Sequence, residues 1–165
     1  MPQTKDPKTA FRDHNHGLCC GSVMKTADKL VKETGLSLTP VRRRTLEILL
    51  EDHRAMGAYE VLEKLAADGF GKQPPVAYRA LDFLVANGLA HRIRRLNGFT
   101  ACMAPGQDHD PVFFICSSCN AVAEAPGGRV GHALNDAADG IGFEIDRSNV
   151  ETVGTCPSCN KAAQT

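Results

Sequence analysis

The sequence predicts an α+β chain in two parts: an N-terminal winged-helix (helix-turn-helix) domain and a small C-terminal α+β domain. Three observations carry that expectation. Four helix-forming stretches follow one another between residues 24 and 87, and a basic hairpin pattern around Asn97-Gly98 comes after them. Beyond it lie two Cys-x-x-Cys pairs, Cys116/Cys119 and Cys156/Cys159, separated by 36 residues. Four thiolates are the full complement of a closed tetrahedral zinc site. Such a site ties two distant turns together and lets a small domain fold without a large core. The other readings of the two pairs are buried thiols or disulfides, and disulfides fit poorly because nothing in the sequence directs export.

At 165 residues, 42% hydrophobic and 23% charged, the composition is that of a soluble globular protein. There is no signal-peptide pattern and no run approaching the roughly 20 apolar residues that span a bilayer. The cytoplasm is the expected compartment, with the seven cysteines reduced. The net charge of zero is unevenly spread. Residues 22–98 hold 13 Lys/Arg against 9 Asp/Glu, and residues 99–165 hold 3 against 8. A basic first half suits phosphate contact, and an acidic second half would keep a duplex away from itself.

Residues 1–21 include Pro2 and Pro7 and show no sustained periodicity, so they read as a mobile arm. Its His14, His16, Cys19 and Cys20 are candidates for an additional metal ion or for oxidation. The first helix then runs from Met24 to Thr34 and stops at Gly35. A second begins with Thr39 as N-cap and Pro40 at its first position. A third spans about Ala58 to Asp68, and a fourth opens at Pro74-Pro75 and closes at Gly88. On the fourth, Ala77, Leu81, Leu84 and Val85 share one face, while Tyr78, Arg79 and Asp82 share the other. Its polar face suits a recognition helix, in which an Arg can reach a guanine edge and a Tyr can meet a thymine methyl or a phosphate.

Residues 89–103 read as a β-hairpin with a two-residue turn at Asn97-Gly98. Arg92, Arg94 and Arg95 make it a basic wing suited to phosphates. That turn places Ile93 opposite Cys102, so His91 shares the face of Cys102. The pair fits core packing as well as ligation. The winged-helix domain is accordingly placed at residues 22–103, and the hinge, with Asp108, His109 and Asp110, at 104–111. The C-terminal domain, 112–160, has the pattern β-β-α-β-β, including a strand near Gly142–Asp146, and 161–165 is a tail. Glu124 falls on its second strand, and His132 reads as a surface residue.

With these pieces in place the chain resembles the ferric uptake regulator family, and within it the zinc uptake regulator branch. The likeness rests on Leu38-Thr39-Pro40-Val41-Arg42, the run Pro74 to Leu84, the hairpin with His91 and Cys102, and Phe114-Ile115-Cys116-Ser117-Ser118-Cys119. The resemblance implies a homodimer whose C-terminal domain is the dimerisation domain, and which represses genes on operator DNA when metal is bound. It implies a structural zinc on Cys116, Cys119, Cys156 and Cys159. It also implies a regulatory zinc on His91, Cys102, His109 and Glu124, so two or more Zn²⁺ per chain. DNA contacts are expected from Tyr78, Arg79, Arg42, Arg92, Arg94 and Arg95. Iron-sensing members usually have more hinge histidines and no cysteine in the hairpin, and a thiolate favours Zn²⁺ over Fe²⁺ or Mn²⁺. Where the family usually has Thr-Val before the Tyr-Arg pair, this chain has Val76-Ala77, without that threonine's phosphate contact.

Three other readings compete. An iron or manganese sensor of the same family would use the same frame, and a zinc-ribbon adaptor would keep only the structural ion. A zinc deaminase needs a His-x-Glu motif, which does not occur here, and an open coordination position. No catalytic residue, membrane partner or small-molecule substrate is expected.

Overall fold

The computed structural model describes residues 6–107 and 109–162. A short 3₁₀ turn, Pro7–Phe11, precedes the helices α1 (His16–Thr34), α2 (Pro40–Leu50), α3 (Ala58–Ala67) and α4 (Pro74–Ala86). The hairpin strands β1 (Ala90–Ile93) and β2 (Gly98–Ala101) follow. The second half holds β3 (Pro111–Cys116), β4 (Val122–Pro126), α5 (Gly128–Asp139), β5 (Val150–Gly154) and α6 (Pro157–Ala162). Among the described residues no helix is long and apolar enough to cross a membrane.

Proline at the first turn starts α2 and α4, where a missing N–H costs nothing. Gly35 (φ 68°) and Gly88 (φ 67°) supply the left-handed residues beyond α1 and α4. Leu46, Leu49, Leu65, Leu81 and Leu84 interlock in a single core beneath these helices, each with at most 1% of its surface exposed. At such sites truncation to alanine costs about 2–5 kcal/mol. Ala77 is buried while Tyr78 and Arg79 face outward, as the periodicity predicts.

The last six residues of the stretch expected to be a mobile arm, 16–21, are helical. Residues 1–5 lie outside the described residues, but α1 begins at His16, eight residues before Met24. Asn15 caps it, its Oδ1 accepting from Leu18 N–H at 3.2 Å. Cys19, Val23 and Ala27, spaced by four, form the buried stripe that holds this first part of the helix. Ser158 Oγ donates to the Phe11 carbonyl at 2.8 Å, so the chain before α1 is tied to the far end of the sequence.

The hairpin register also differs from the prediction. Ile93 pairs with Gly98 and His91 with Thr100, so the loop is Arg94–Asn97 rather than a two-residue turn. The offset is four residues, an even number, and Cys102 therefore stays on the face of His91. Gly98 pairs with Ile93 as a strand residue, and its lack of a side chain answers to crowding: a Cβ there would lie 3.1 Å from the Met56 carbonyl oxygen. Met56 in turn exchanges two 2.8 Å backbone hydrogen bonds with Phe99 and extends the hairpin by one residue of a third strand.

The C-terminal sheet has the order β4-β3-β5, with β4 antiparallel and β5 parallel to β3. The strand predicted for Gly142–Asp146 is absent. Gly142 (φ 68°) turns the chain, and Phe143 N–H donates back to the Ala138 carbonyl, finishing α5. Residues 142–146 therefore pair with no strand among the described residues. Ile141 and Phe143 are left 80% and 62% exposed.

The two halves share a second core. Ile93 of the hairpin packs with Phe113, Ile115 and Val122 of the sheet, beside Ala55 and Leu96. Val122 N–H donates to the His53 carbonyl at 2.8 Å. Glu151 on β5 accepts from the backbone N–H groups of Arg94 and Arg95 at 2.8 and 2.9 Å. Gly127 lies against the Asp110 carbonyl so closely that any side chain would collide with it, which seats the hinge on the end of β4.

Candidate metal centre

Cys116 ends β3, Cys119 follows in the turn, and Cys156 and Cys159 flank the start of α6. Parallel pairing of β3 with β5 brings the two turns together, with Cys116 opposite Gly154. None of the seven cysteines is in a disulfide. Cys119 Sγ and Cys156 Sγ are 3.8 Å apart, and two sulfurs about 2.3 Å from a common tetrahedral zinc sit roughly 3.8 Å from each other. Cys156 N–H donates to Cys116 Sγ at 3.3 Å, and this with other backbone donors lowers Cys116 to about 6. Its neighbours respond oppositely: the Cys156 and Cys119 sulfurs push Cys159 up to about 12. Four thiolates so crowded ionise together only around a cation, and the donor set fits Zn²⁺.

The second constellation lies where the halves meet. His91 comes from β1, Cys102 follows β2, His109 belongs to the hinge and Glu124 sits on β4. Their donor atoms all lie within 4.8 Å of one another. Glu124 Oε1 is 2.7 Å from His109 Nε2, 3.3 Å from His91 Nε2 and 3.8 Å from Cys102 Sγ. The His91 contact is badly aligned, which leaves its Nε2 a buried nitrogen without a hydrogen-bond partner, aimed into the cluster. His109 Nδ1 is 2.8 Å from the Gln107 carbonyl; donation there turns Nε2 toward the other ligands. Glu124 Oε2 accepts from Met103 N–H at 2.9 Å, fixing the carboxylate. The Phe113 ring backs His91, with centroids 5.2 Å apart.

The electrostatics is that of a ligand set held together by protons. Burial alone would raise Glu124, but the hydrogen bond from His109 and the closeness of the His91 ring outweigh it and lower the carboxyl to about 2. The same bond from Glu124 raises His109 to about 9. Burial, then the Glu124 charge, pushes the Cys102 thiol far up. Two nitrogens, one sulfur and one oxygen on a buried frame suit tetrahedral Zn²⁺ better than the harder divalent ions.

No family model matches the chain. Individual relatives do. The zinc uptake regulation protein of Escherichia coli (strain K12) is 30% identical over 138 residues, covering 83% of this chain and 81% of that protein. The chain belongs to the ferric uptake regulator family, in its zinc uptake regulator branch. Solved structures of this branch agree with it in fold. A zinc uptake regulator complexed with zinc and DNA superposes with a TM-score of 0.83 at 28% identity, covering 88% of this chain and 98% of that one. Holo XcZur gives 0.77 at 33% identity, covering 85% and 98%. Apo XcZur, at the same identity and covering 86% and 98%, gives only 0.51.

Within this zinc uptake regulator frame the predicted DNA-facing residues fall in two groups. Tyr78 and Arg79 are exposed on α4, and the side chains of Arg92, Arg94 and Arg95 are exposed on the hairpin. Arg42 is less available: its Nη1 donates to the Ser37 carbonyl at 2.8 Å and its guanidinium lies 3.6 Å from the Phe83 ring centre. His132 stays exposed on α5, outside every donor cluster among the described residues. Asp108 and residues 163–165 lie outside the described residues. Two partners were missed from sequence. His53 joins His14 and Cys19, and Glu151 grips the wing, each across more than 30 residues without a local signal.

Proposed function

We propose that the chain is a zinc-responsive transcriptional repressor that binds operator DNA as a zinc-loaded homodimer and controls zinc-uptake genes. One observation carries this reading: the donor set His91, Cys102, His109 and Glu124 draws ligands from the hairpin, the hinge and β4, so it spans both halves of the chain. The better agreement with the holo than with the apo form of one relative supports it, since these donors already converge here. Domain limits of 22–103, 104–111 and 112–160 are retained, with the helical stretch before residue 22 added to the first.

When bound, zinc supplies coordinate bonds to four donors and no redox chemistry. His91 and Cys102 then fix the hairpin, and with it α4, against Glu124 on the sheet. The hinge, held by His109, loses its freedom to swing. In a homodimer this sets the separation of the two α4 helices, which must match half-sites about 34–36 Å apart. The side chains of Ile141 and Phe143, largely exposed in one chain, support a dimer contact through the C-terminal domain. Cys116, Cys119, Cys156 and Cys159 hold the structural ion that keeps this domain folded. Closed coordination at both sites leaves no open position for a reacting water, which supports a regulator rather than an enzyme.

The test is recovery of genomic DNA fragments by the protein in buffered zinc and in chelator. Promoter fragments recovered only with zinc support the reading, and equal recovery in both contradicts it. On a recovered operator, Arg79→Ala is expected to weaken specific binding by about 1–3 kcal/mol with metal content intact. Neutralising Arg92, Arg94 or Arg95 should instead weaken all sequences alike and reduce the salt dependence. Filter binding across a salt series separates the two.

Zinc affinity at the second site is expected to depend on pH. His109 is raised to about 9, so below that value it holds a proton that ligation must remove, and the Cys102 thiol holds another. Affinity therefore rises with pH, by up to about two decades per unit between about pH 6 and 8. Competition with a zinc indicator at several pH values reads the slope, and a flat profile would contradict the proton count.

A further inference from the structure

We propose that His14, Cys19 and His53 form a third metal site, for Zn²⁺ or a similar borderline divalent cation, with His16 able to complete its tetrahedron. Their donor atoms lie within 4.8 Å of one another. His14 Nε2 is 3.1 Å from His53 Nε2, and Cys19 Sγ is 4.0 Å from the same nitrogen. Nitrogen and sulfur donors around one tetrahedral zinc are separated by roughly 3.3–3.6 Å, so small side-chain movements complete the geometry. The site is not a chance meeting of surface histidines: Cys19 is buried and the two histidines are half-buried.

The hydrogen bonds around the cluster aim it. His14 Nδ1 is 2.9 Å from the Arg12 carbonyl, to which only an N–H can donate, and this leaves a lone pair on Nε2. His16 Nε2 is 2.7 Å from the Leu50 carbonyl, which by the same argument leaves a lone pair on Nδ1. That atom lies 3.4 Å from His14 Nε2, so in the neutral tautomers two lone pairs face each other beside His53 and Cys19. A cation placed between them would accept both lone pairs. A backbone carbonyl behind each ring is the usual support of a ligating histidine. Binding requires the thiolate, so Cys19 releases its proton to solvent as the ion enters.

The location gives the site a task. His14, His16 and Cys19 stand at the start of α1, and His53 lies between α2 and α3, with its carbonyl accepting from Val122 N–H on β4. The Phe11 carbonyl, just before the cluster, accepts from Ser158 on α6. An ion held there fastens the start of the chain to the seam between its two halves, on the side that carries Cys119 rather than the hinge.

The test is metal stoichiometry of the full chain, saturated with zinc, desalted and measured by mass spectrometry. Three ions are expected in the wild type, and two in Cys19→Ser and in His14→Ala. Cys20→Ser should keep three, because Cys20 bonds to Leu50 and stands outside the group. Cobalt titration of the unmodified protein gives a second reading without a variant. A third equivalent should add tetrahedral cobalt bands with the sulfur charge-transfer intensity of one thiolate. Two ions in the wild type and no third cobalt equivalent would overturn the proposal, as would three ions retained in both His14→Ala and Cys19→Ser. Cys102→Ser reports separately: loss of its ion bears only on the hinge site, and the third site is judged by the other variants.

Discussion

Cys102→Ser is expected to keep the dimer and the four-cysteine zinc while losing zinc-dependent DNA binding. The serine hydroxyl retains the shape of the site but removes its one soft donor, and His91 and Glu124 are left without the bridge that draws the hairpin onto β4. An ion that favours the closed arrangement by about 1–3 kcal/mol per site raises DNA affinity roughly 5- to 150-fold, and DNA raises zinc affinity by the same factor. The variant should lose that whole factor and behave at every zinc concentration like the wild type in chelator. Fluorescence anisotropy on an operator, titrated with buffered zinc, reads it directly. A variant curve that overlays the wild type would contradict the role given to Cys102.

Cys116→Ser and Cys156→Ser are expected to have a larger effect on the protein itself. Structural zinc sites bind with apparent free energies of about 10–16 kcal/mol, and where no site exists in the unfolded chain this is folding free energy. Here the ion would tie the end of β3 to the start of α6, ends that are otherwise joined by the short parallel β3–β5 pairing and a few hydrogen bonds such as Ser117 N–H to the Gly154 carbonyl. Loss of one thiolate should release the ion, loosen the β3–β5 pairing and break or weaken the dimer. Metal counting with analytical ultracentrifugation measures both. A variant that kept full zinc stoichiometry and its dimer would remove the structural assignment.

Local chemistry made much of the fold legible. Pro40, Pro74, Gly35 and Gly88 mark helix ends through their own backbone constraints, and α2 to α4 fall where those residues place them. The four cysteines announce their site through spacing alone, and parallel pairing of β3 with β5 closes it. What was missed depends on contacts between distant segments. The early start of α1 was hidden because Cys19 counts as a candidate ligand in composition, although its buried position also continues the helical stripe of Val23 and Ala27. Gly98 suggested a turn, whereas it is small because Met56 passes close to it. The even offset preserved the faces, so His91 and Cys102 converge through a register other than the one predicted. The segment 142–146 has strand character, but the left-handed Gly142 and the bond from Phe143 N–H back to Ala138 spend its start on ending α5. The ligand set proposed as regulatory is legible only through family likeness, because no spacing rule links residues 91, 102, 109 and 124.

The central claim is that an ion shared by the hairpin, hinge and sheet fixes the two halves of each chain and so the spacing of the paired α4 helices. The most direct measurement is the distance distribution between spin labels on the α4 helices of a dimer, carried on an unnatural amino acid at exposed Asp82. This avoids labelling any of the seven cysteines. With zinc saturating the hinge site, one narrow distribution is predicted, matching half-sites about 34–36 Å apart once the label length is allowed for. With only the four-cysteine site filled, the distribution should broaden over many separations. Identical distributions in the two states would contradict the account.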